Sequence, residues 1–98
     1  MLVKVFPIKL KDGTQDKVEA VVREFAPRGP AAEDGTLSFR VYRNPAQPDY
    51  LLFVEHFADQ AAYDAHMGSP AYQELIVGQF ASLIVEFVEV DHELVVAI

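Results

Sequence analysis

The side chains best suited to chemistry crowd into one stretch, Tyr50 to Tyr72, where Glu55 and His56 interrupt an apolar run and Tyr63 precedes His66 by three positions. On a helix that spacing puts Tyr63 and His66 on one side, facing the same surroundings. An imidazole that is neutral near physiological pH can take a proton from an acidic phenol, which makes His66 a candidate proton acceptor. The same histidine near a helix end can instead serve as a cationic partner for the helix dipole. Glu55 stands between Phe53 and Phe57 on one strand face, and a carboxylate among aromatic rings should have its ionisation disturbed. Its alternative role is a salt bridge to Arg40 or Arg43 on a neighbouring strand. Tyr42, Tyr50, Tyr63 and Tyr72 can line a pocket for a flat aromatic ligand, and the same spacings also describe a plain core.

Composition removes several other chemistries. The chain has no cysteine, so it offers no thiolate nucleophile, no disulfide and no Cys-based metal site. Its histidines, His56, His66 and His92, are far apart, and pairing His56 with Asp59 or His66 with Asp64 gives neither the spacing nor the ligand number of a metal centre. No metal is expected. Phosphate loops, dinucleotide fingerprints, zinc-protease helices and nucleophile elbows are all missing from the sequence. A formal charge of −7 with eight scattered basic residues argues against nucleic acid as a partner. No apolar run reaches the roughly 18 residues of a membrane span, and Met1 to Pro7 lacks the order of a signal peptide, so a cytoplasmic protein is expected, with no membrane partner.

The elements that must position these residues follow from periodicity. Residues 2–10 alternate as a strand, with Pro7 suggesting a bulge or bend. Val18, Val21, Val22 and Phe25 mark the buried stripe of a helix beginning at Thr14 and ended by Pro27, Gly29 and Pro30. Residues 36–43 and 50–57 form a hairpin of two further strands. Asp59 caps a short helix running to about Met67, and Ser69-Pro70 starts another that carries Leu75, Ile76 and Phe80. A β-favouring run, 83–90, gives a fourth strand, and Asp91-His92-Glu93 reads as a solvated turn before the apolar tail Leu94–Ile98. The order is that of an α+β, ferredoxin-like βαββαβ domain spanning 1–98. Its sheet is four-stranded and antiparallel, helices cover one face, and the first and third strands lie in the middle.

The third strand is apolar on both faces, with Tyr50, Leu52 and Val54 on one and Leu51, Phe53 and Phe57 on the other, whereas a strand wetted on one side should alternate. Helices cover only one face, which predicts a homodimer formed through the sheet face. Two placements are open to the tail 91–98: on the partner's sheet edge, or folded back on its own subunit.

With these elements in place, the string Phe39-Arg40-Val41-Tyr42-Arg43, then Pro48-Asp49-Tyr50, Glu55-His56-Phe57-Ala58-Asp59, Ala62-Tyr63-Asp64-Ala65-His66 and Ser69-Pro70 resembles the antibiotic biosynthesis monooxygenase domain family, including its quinol monooxygenase branch. The resemblance covers nearly the whole chain. It implies a dimeric α+β barrel whose enzyme members oxidise phenolic or hydroquinone substrates with O2 and need no flavin, haem or metal, hence no cofactor here. On that resemblance His66 and Glu55 are the catalytic candidates, His66 to receive or relay a proton and Glu55 to hold charge nearby. Tyr63, Tyr42, Phe57, Phe53, Arg40 and Tyr72 are the candidate contacts to a small aromatic substrate. Haem-degrading relatives place an Asn in the first strand, a Trp on the short helix and a His on the helix after it. Phe6-Pro7-Ile8, His66 and Ile76 depart from that pattern, and Phe57 stands where many members carry Trp. The reading is therefore a cofactor-independent monooxygenase of a quinol or polyphenol-like ring. Its alternative is a non-catalytic dimeric module that binds small aromatic metabolites or acts in a stress response.

Overall fold

A computed structural model describes all residues from Met1 to Ile98. Alternating side chains form β1 (Leu2–Leu10), and the Val18, Val21, Val22 and Phe25 stripe drives α1 (Gln15–Arg28) onto the sheet. The hairpin β2 (Thr36–Arg43) and β3 (Tyr50–Phe57) follows, then α2 (Gln60–Gly68), a third helix α3 (Tyr72–Phe80), β4 (Ile84–Phe87) and β5 (Val90–Glu93). The sheet order is β2-β3-β1-β4, with β5 also on β1, so the first and third strands are central and their pairing runs from Leu2 opposite Phe57 to Lys9 opposite Tyr50. This is the expected α+β, ferredoxin-like arrangement. No helix is long and apolar enough to cross a membrane.

The helices cover one face. Leu51, Phe53, Glu55 and Phe57 of β3 are buried on it, opposite Ile8, Phe6, Lys4 and Leu2 of β1. Ile8, Leu10, Val18, Val22, Phe25, Leu51, Phe53, Leu75 and Phe80 form the core between sheet and helices. The other face carries Val5, Tyr50, Leu52 and Val54 together with Ser38, Arg40 and Tyr42 of β2; Leu52 is 38% and Tyr42 48% exposed.

The fourth strand departs from expectation. Instead of one run over 83–90 there are two segments, and Asp91-His92-Glu93, expected as a turn, belongs to β5 and pairs with Lys4, Val3 and Leu2. Ile8 opposite Phe87 and Val5 opposite Val90 lie on one continuous register, so β4 and β5 occupy the place of a single strand. The break falls opposite Pro7. Its carbonyl accepts from Val88 N at 3.3 Å, but proline has no N–H to return the bond. Pro7 thus interrupts the neighbouring strand, while the shift in register falls between Lys9 and Leu10. Only Leu94–Ile98 remains as a tail, with Val95 95% exposed.

Two helices also differ from the reading. α1 runs through Pro27 to Arg28, because a proline in the last turn removes one bond and Gly29 N still donates to Phe25 O at 2.8 Å. α3 is wound with i to i+5 bonds, ending with Ala81 N on Ile76 O. The wider turn places Tyr72, Ile76, Val77 and Ala81 on one side, and that side faces the candidate site.

Candidate active site

Asp59 starts α2 by accepting from Ala62 N at 2.9 Å, and this cap sets the phase of the helix. Tyr63 and His66 consequently point at the sheet, stacked with ring centroids 6.5 Å apart and planes 22° apart. Gly35 helps seat the helix: a Cβ there would overlap the Cβ of Ala62, so only glycine lets the start of β2 approach α2 this closely. Rings of Phe57, Tyr72, Phe25 and Phe39 surround the imidazole at centroid distances of 5.1, 5.5, 5.6 and 6.4 Å.

Inside this aromatic cage His66 is held by two carboxylates. Nδ1 lies 2.7 Å from Glu33 Oε1 and Nε2 lies 3.3 Å from Glu55 Oε1, with the imidazole 3% exposed and the Glu55 side chain 6%. Burial alone would disfavour the imidazolium, but the hydrogen bonds and charges of Glu55 and Glu33 outweigh it and raise the His66 pKa above its ordinary value. Both ring nitrogens thus face carboxylates, which favours the imidazolium, whereas the residue type by itself suggests a neutral acceptor. Glu33 also accepts from Thr36 Oγ1 at 2.8 Å.

A second buried charge, Lys4, sits beside Glu55 in the pairing of β1 with β3. Its ammonium reaches Asp91 at 2.6 Å and Glu89 at 2.9 Å, and lies 4.4 Å from the centre of the Tyr63 ring. Burial opposes its charge, yet these two carboxylates raise its pKa. Tyr63 donates its hydroxyl to Glu89 at 3.0 Å. Burial, and then that hydrogen bond and the Glu89 charge, push the Tyr63 pKa up; burial likewise raises Tyr72, with Glu55 and Glu89 adding to it. Neither phenol ionises near neutrality.

Next to this polar end lies a cavity of about 190 Å³ between the sheet and α3. Its wall is almost wholly apolar, with Phe6, Ile8, Phe39, Phe53, Ile76 and Phe80 among its members, and Glu55, Tyr63, His66 and Tyr72 supply the polar groups. The mouth opens between α3 and β4, where Val77 and Phe87 line the cavity yet are 50% and 58% exposed. Such a space accommodates one substituted aromatic ring, since a cavity of about 150 Å³ suffices for benzene.

Of the sequence candidates, His66, Glu55, Tyr63, Phe53 and Tyr72 line the cavity. Phe57 lies behind it, fully buried, with its ring 5.1 Å from both Tyr63 and His66. Arg40 and Tyr42 are not brought there: they pair with Val54 and Leu52 on the opposite sheet face, as strand alternation requires. Arg40 therefore cannot be the partner of Glu55, and Arg43 instead binds Glu19 at 2.6 Å. Glu33, Lys4 and Glu89 were not picked out in the sequence. A glutamate three residues before Thr36, in the breaker-rich segment leading into β2, is the single local hint for Glu33. Lys4 carried one too, as a charge on the inward face of an apolar strand.

The profile of the antibiotic biosynthesis monooxygenase family matches residues 1–77, which include Glu33, Glu55, Tyr63 and His66. The chain belongs to this family. Antibiotic biosynthesis monooxygenase domains are also found among the solved structures similar to it. A Bacteroides thetaiotaomicron protein carrying the family's name superposes with a TM-score of 0.89 at 19% identity, covering 97% of this chain and 90% of that one. A Shewanella oneidensis protein gives 0.81 at 25% identity, covering 93% and 87%, and a Pseudomonas aeruginosa protein 0.86 at 16%, covering 97% and 94%. These likenesses establish the fold. No curated protein matches the chain.

Proposed function

We propose that this family member is a cytoplasmic monooxygenase that oxidises a quinol or polyphenol-like ring with O2, the ring lying in the cavity between sheet and α3. The observation that supports the reading is the buried His66–Glu55 pair, backed by Glu33, at one end of an otherwise apolar space. Oxidation begins with loss of a hydroxyl proton, because the phenolate is the form electron-rich enough to pass an electron to O2. Glu55 receives that proton. His66, held as an imidazolium, orients the carboxylate and offsets its charge, and Glu33 fixes the imidazole from the other side. The receiving atom thus moves from His66 to Glu55. For a hydroquinone the outcome is a hydroxyquinone and water: one oxygen atom of O2 enters the ring, the other leaves as water, and the four electrons come from the ring. Apolar walls keep competing water away from the intermediates.

The working unit of this proposal is a homodimer. Val5, Leu52, Val54 and Tyr42 form an apolar patch on the open sheet face with no helix over it, which a second copy would cover.

Oxygen uptake with a panel of hydroquinones in metal-free buffer tests the catalytic reading. The expected result is turnover by the native chain and a loss of about 100-fold or more in Glu55→Gln and His66→Ala, the usual worth of a positioned proton acceptor. Uptake no faster than the uncatalysed rate with every hydroquinone would overturn it.

A further inference from the structure

The polar end of the cavity is unusually short of hydrogen-bond donors. Both ring nitrogens of His66 are engaged by Glu33 and Glu55. The Tyr63 hydroxyl proton is given to Glu89, and Lys4 in turn holds Glu89 and Asp91. No lysine or arginine lines the cavity. The Tyr72 hydroxyl is the one lining side-chain donor that makes no hydrogen bond within the protein. What remains for a ligand is mostly oxygen lone pairs, on the second carboxylate oxygen of Glu55 and on the phenol oxygens of Tyr63 and Tyr72.

We propose that this end of the cavity selects rings that bring their own O–H or N–H donors and carry no anionic substituent, so that the site holds a hydroquinone and expels the corresponding quinone. The inference rests on the cavity being the substrate site, and it deepens that reading. A hydroquinone satisfies the lone pairs of Glu55 and Tyr63. A quinone can take the single Tyr72 hydroxyl at one carbonyl, but it offers no proton to Glu55 or Tyr63 and sets its oxygens against their lone pairs, which is the costly case. A ring carboxylate fares worse, because the single imidazolium is already shared by two carboxylates and the Lys4 charge is spent on two more. Lys4 and Glu89 are on this view positioning residues: they fix the direction of the Tyr63 proton and so decide that Tyr63 offers the substrate an acceptor. Discrimination of this kind also favours clearing the site after each oxidation, since the hydroquinone brings two O–H donors and its hydroxyquinone product keeps only one.

Calorimetric titration of the full chain under argon, where no turnover occurs, tests the proposal with two ligand pairs. Tetramethylhydroquinone should bind about tenfold or more tightly than tetramethylbenzoquinone, and dihydroxybenzamide about tenfold or more tightly than dihydroxybenzoate of the same substitution. In Tyr63→Phe, and in Lys4→Met where Glu89 is released, the first ratio should shrink while the affinity for the quinone holds or rises. A purely structural role for these residues would weaken both members of a pair equally. Equal binding within the pairs, tighter quinone binding, or no binding of any of the four rings overturns the inference. Discrimination without oxygen uptake by any hydroquinone would leave it standing and remove monooxygenation instead.

Discussion

A buried histidine clasped by two carboxylates has a pH dependence of definite sign. The His66 pKa is raised above 6.5 in the folded chain, despite burial, by Glu55 and Glu33. Its contribution to stability is therefore complete below about 6.5 and is lost as pH rises through the higher folded value. Urea unfolding should show stability falling across that window in the native chain and a flat profile there in His66→Gln. An imidazole NMR titration should place the His66 midpoint above 6.5 and show it dropping in Glu33→Gln, where one carboxylate is gone. Complete removal of the ring in His66→Ala should cost about 3–5 kcal/mol, because buried Glu55 and half-buried Glu33 are left without their shared partner. A native midpoint at or below the free-histidine value would contradict the geometry.

Among the elements, α2 is the one whose placement decides the site, and Gly35 is its seat. Gly35→Ala brings a methyl group onto Ala62, and the helix must shift with Tyr63 and His66 on it. The expected cost is about 1–3 kcal/mol, the range for overpacking. Adding Ala62→Gly should recover part of it, less the intrinsic penalty of glycine inside a helix, about 1 kcal/mol. Denaturant unfolding of the single and double variants measures that coupling, and purely additive losses would show that the two residues do not touch. The interrupted strand opposite Pro7 matters at the same scale. Because Pro7 cannot close the ladder, Glu89 falls in the gap between β4 and β5, where its side chain meets both Lys4 and the Tyr63 hydroxyl.

For the molecule as a whole, the consequential surface is the open sheet face. Leu52 at 38% and Tyr42 at 48% exposure stand beside Val5 and Val54 on a face with no covering layer, and Val95, Val96 and Ile98 extend freely past β5. Sedimentation at micromolar concentration should give twice the 10.9 kDa chain mass. Leu52→Glu should shift it to the single-chain value by setting a charge in the middle of that face. A single-chain mass for the native protein would refute the dimer. Truncation after Glu93 separates the two placements of the tail: a weakened dimer means the tail packs on the partner, and an unchanged one means it does not.

Periodicity was enough to set the βαββαβ order, the central pair β1 and β3, the bounds of β2 and β3, and the side-by-side placement of Tyr63 and His66. These depend on interactions between residues a few positions apart, which alternation, capping and helical spacing record directly. The two-faced character of β3 was legible for the same reason. Local pattern could not reveal that Glu33, 33 positions from His66, would meet its Nδ1, nor that Lys4 would find Glu89 and Asp91 at the far end of the chain. Those contacts exist because the sheet brings β1 against β5 and the loop before β2 against α2. The protonation balance of His66 followed the contacts: as a residue type it reads as a neutral base, and Glu33 and Glu55 shift it toward the imidazolium. The chemistry of the candidate site was thus foreshadowed by residue types and decided by long-range packing, because charge state depends on surroundings that the sequence brings together only on folding.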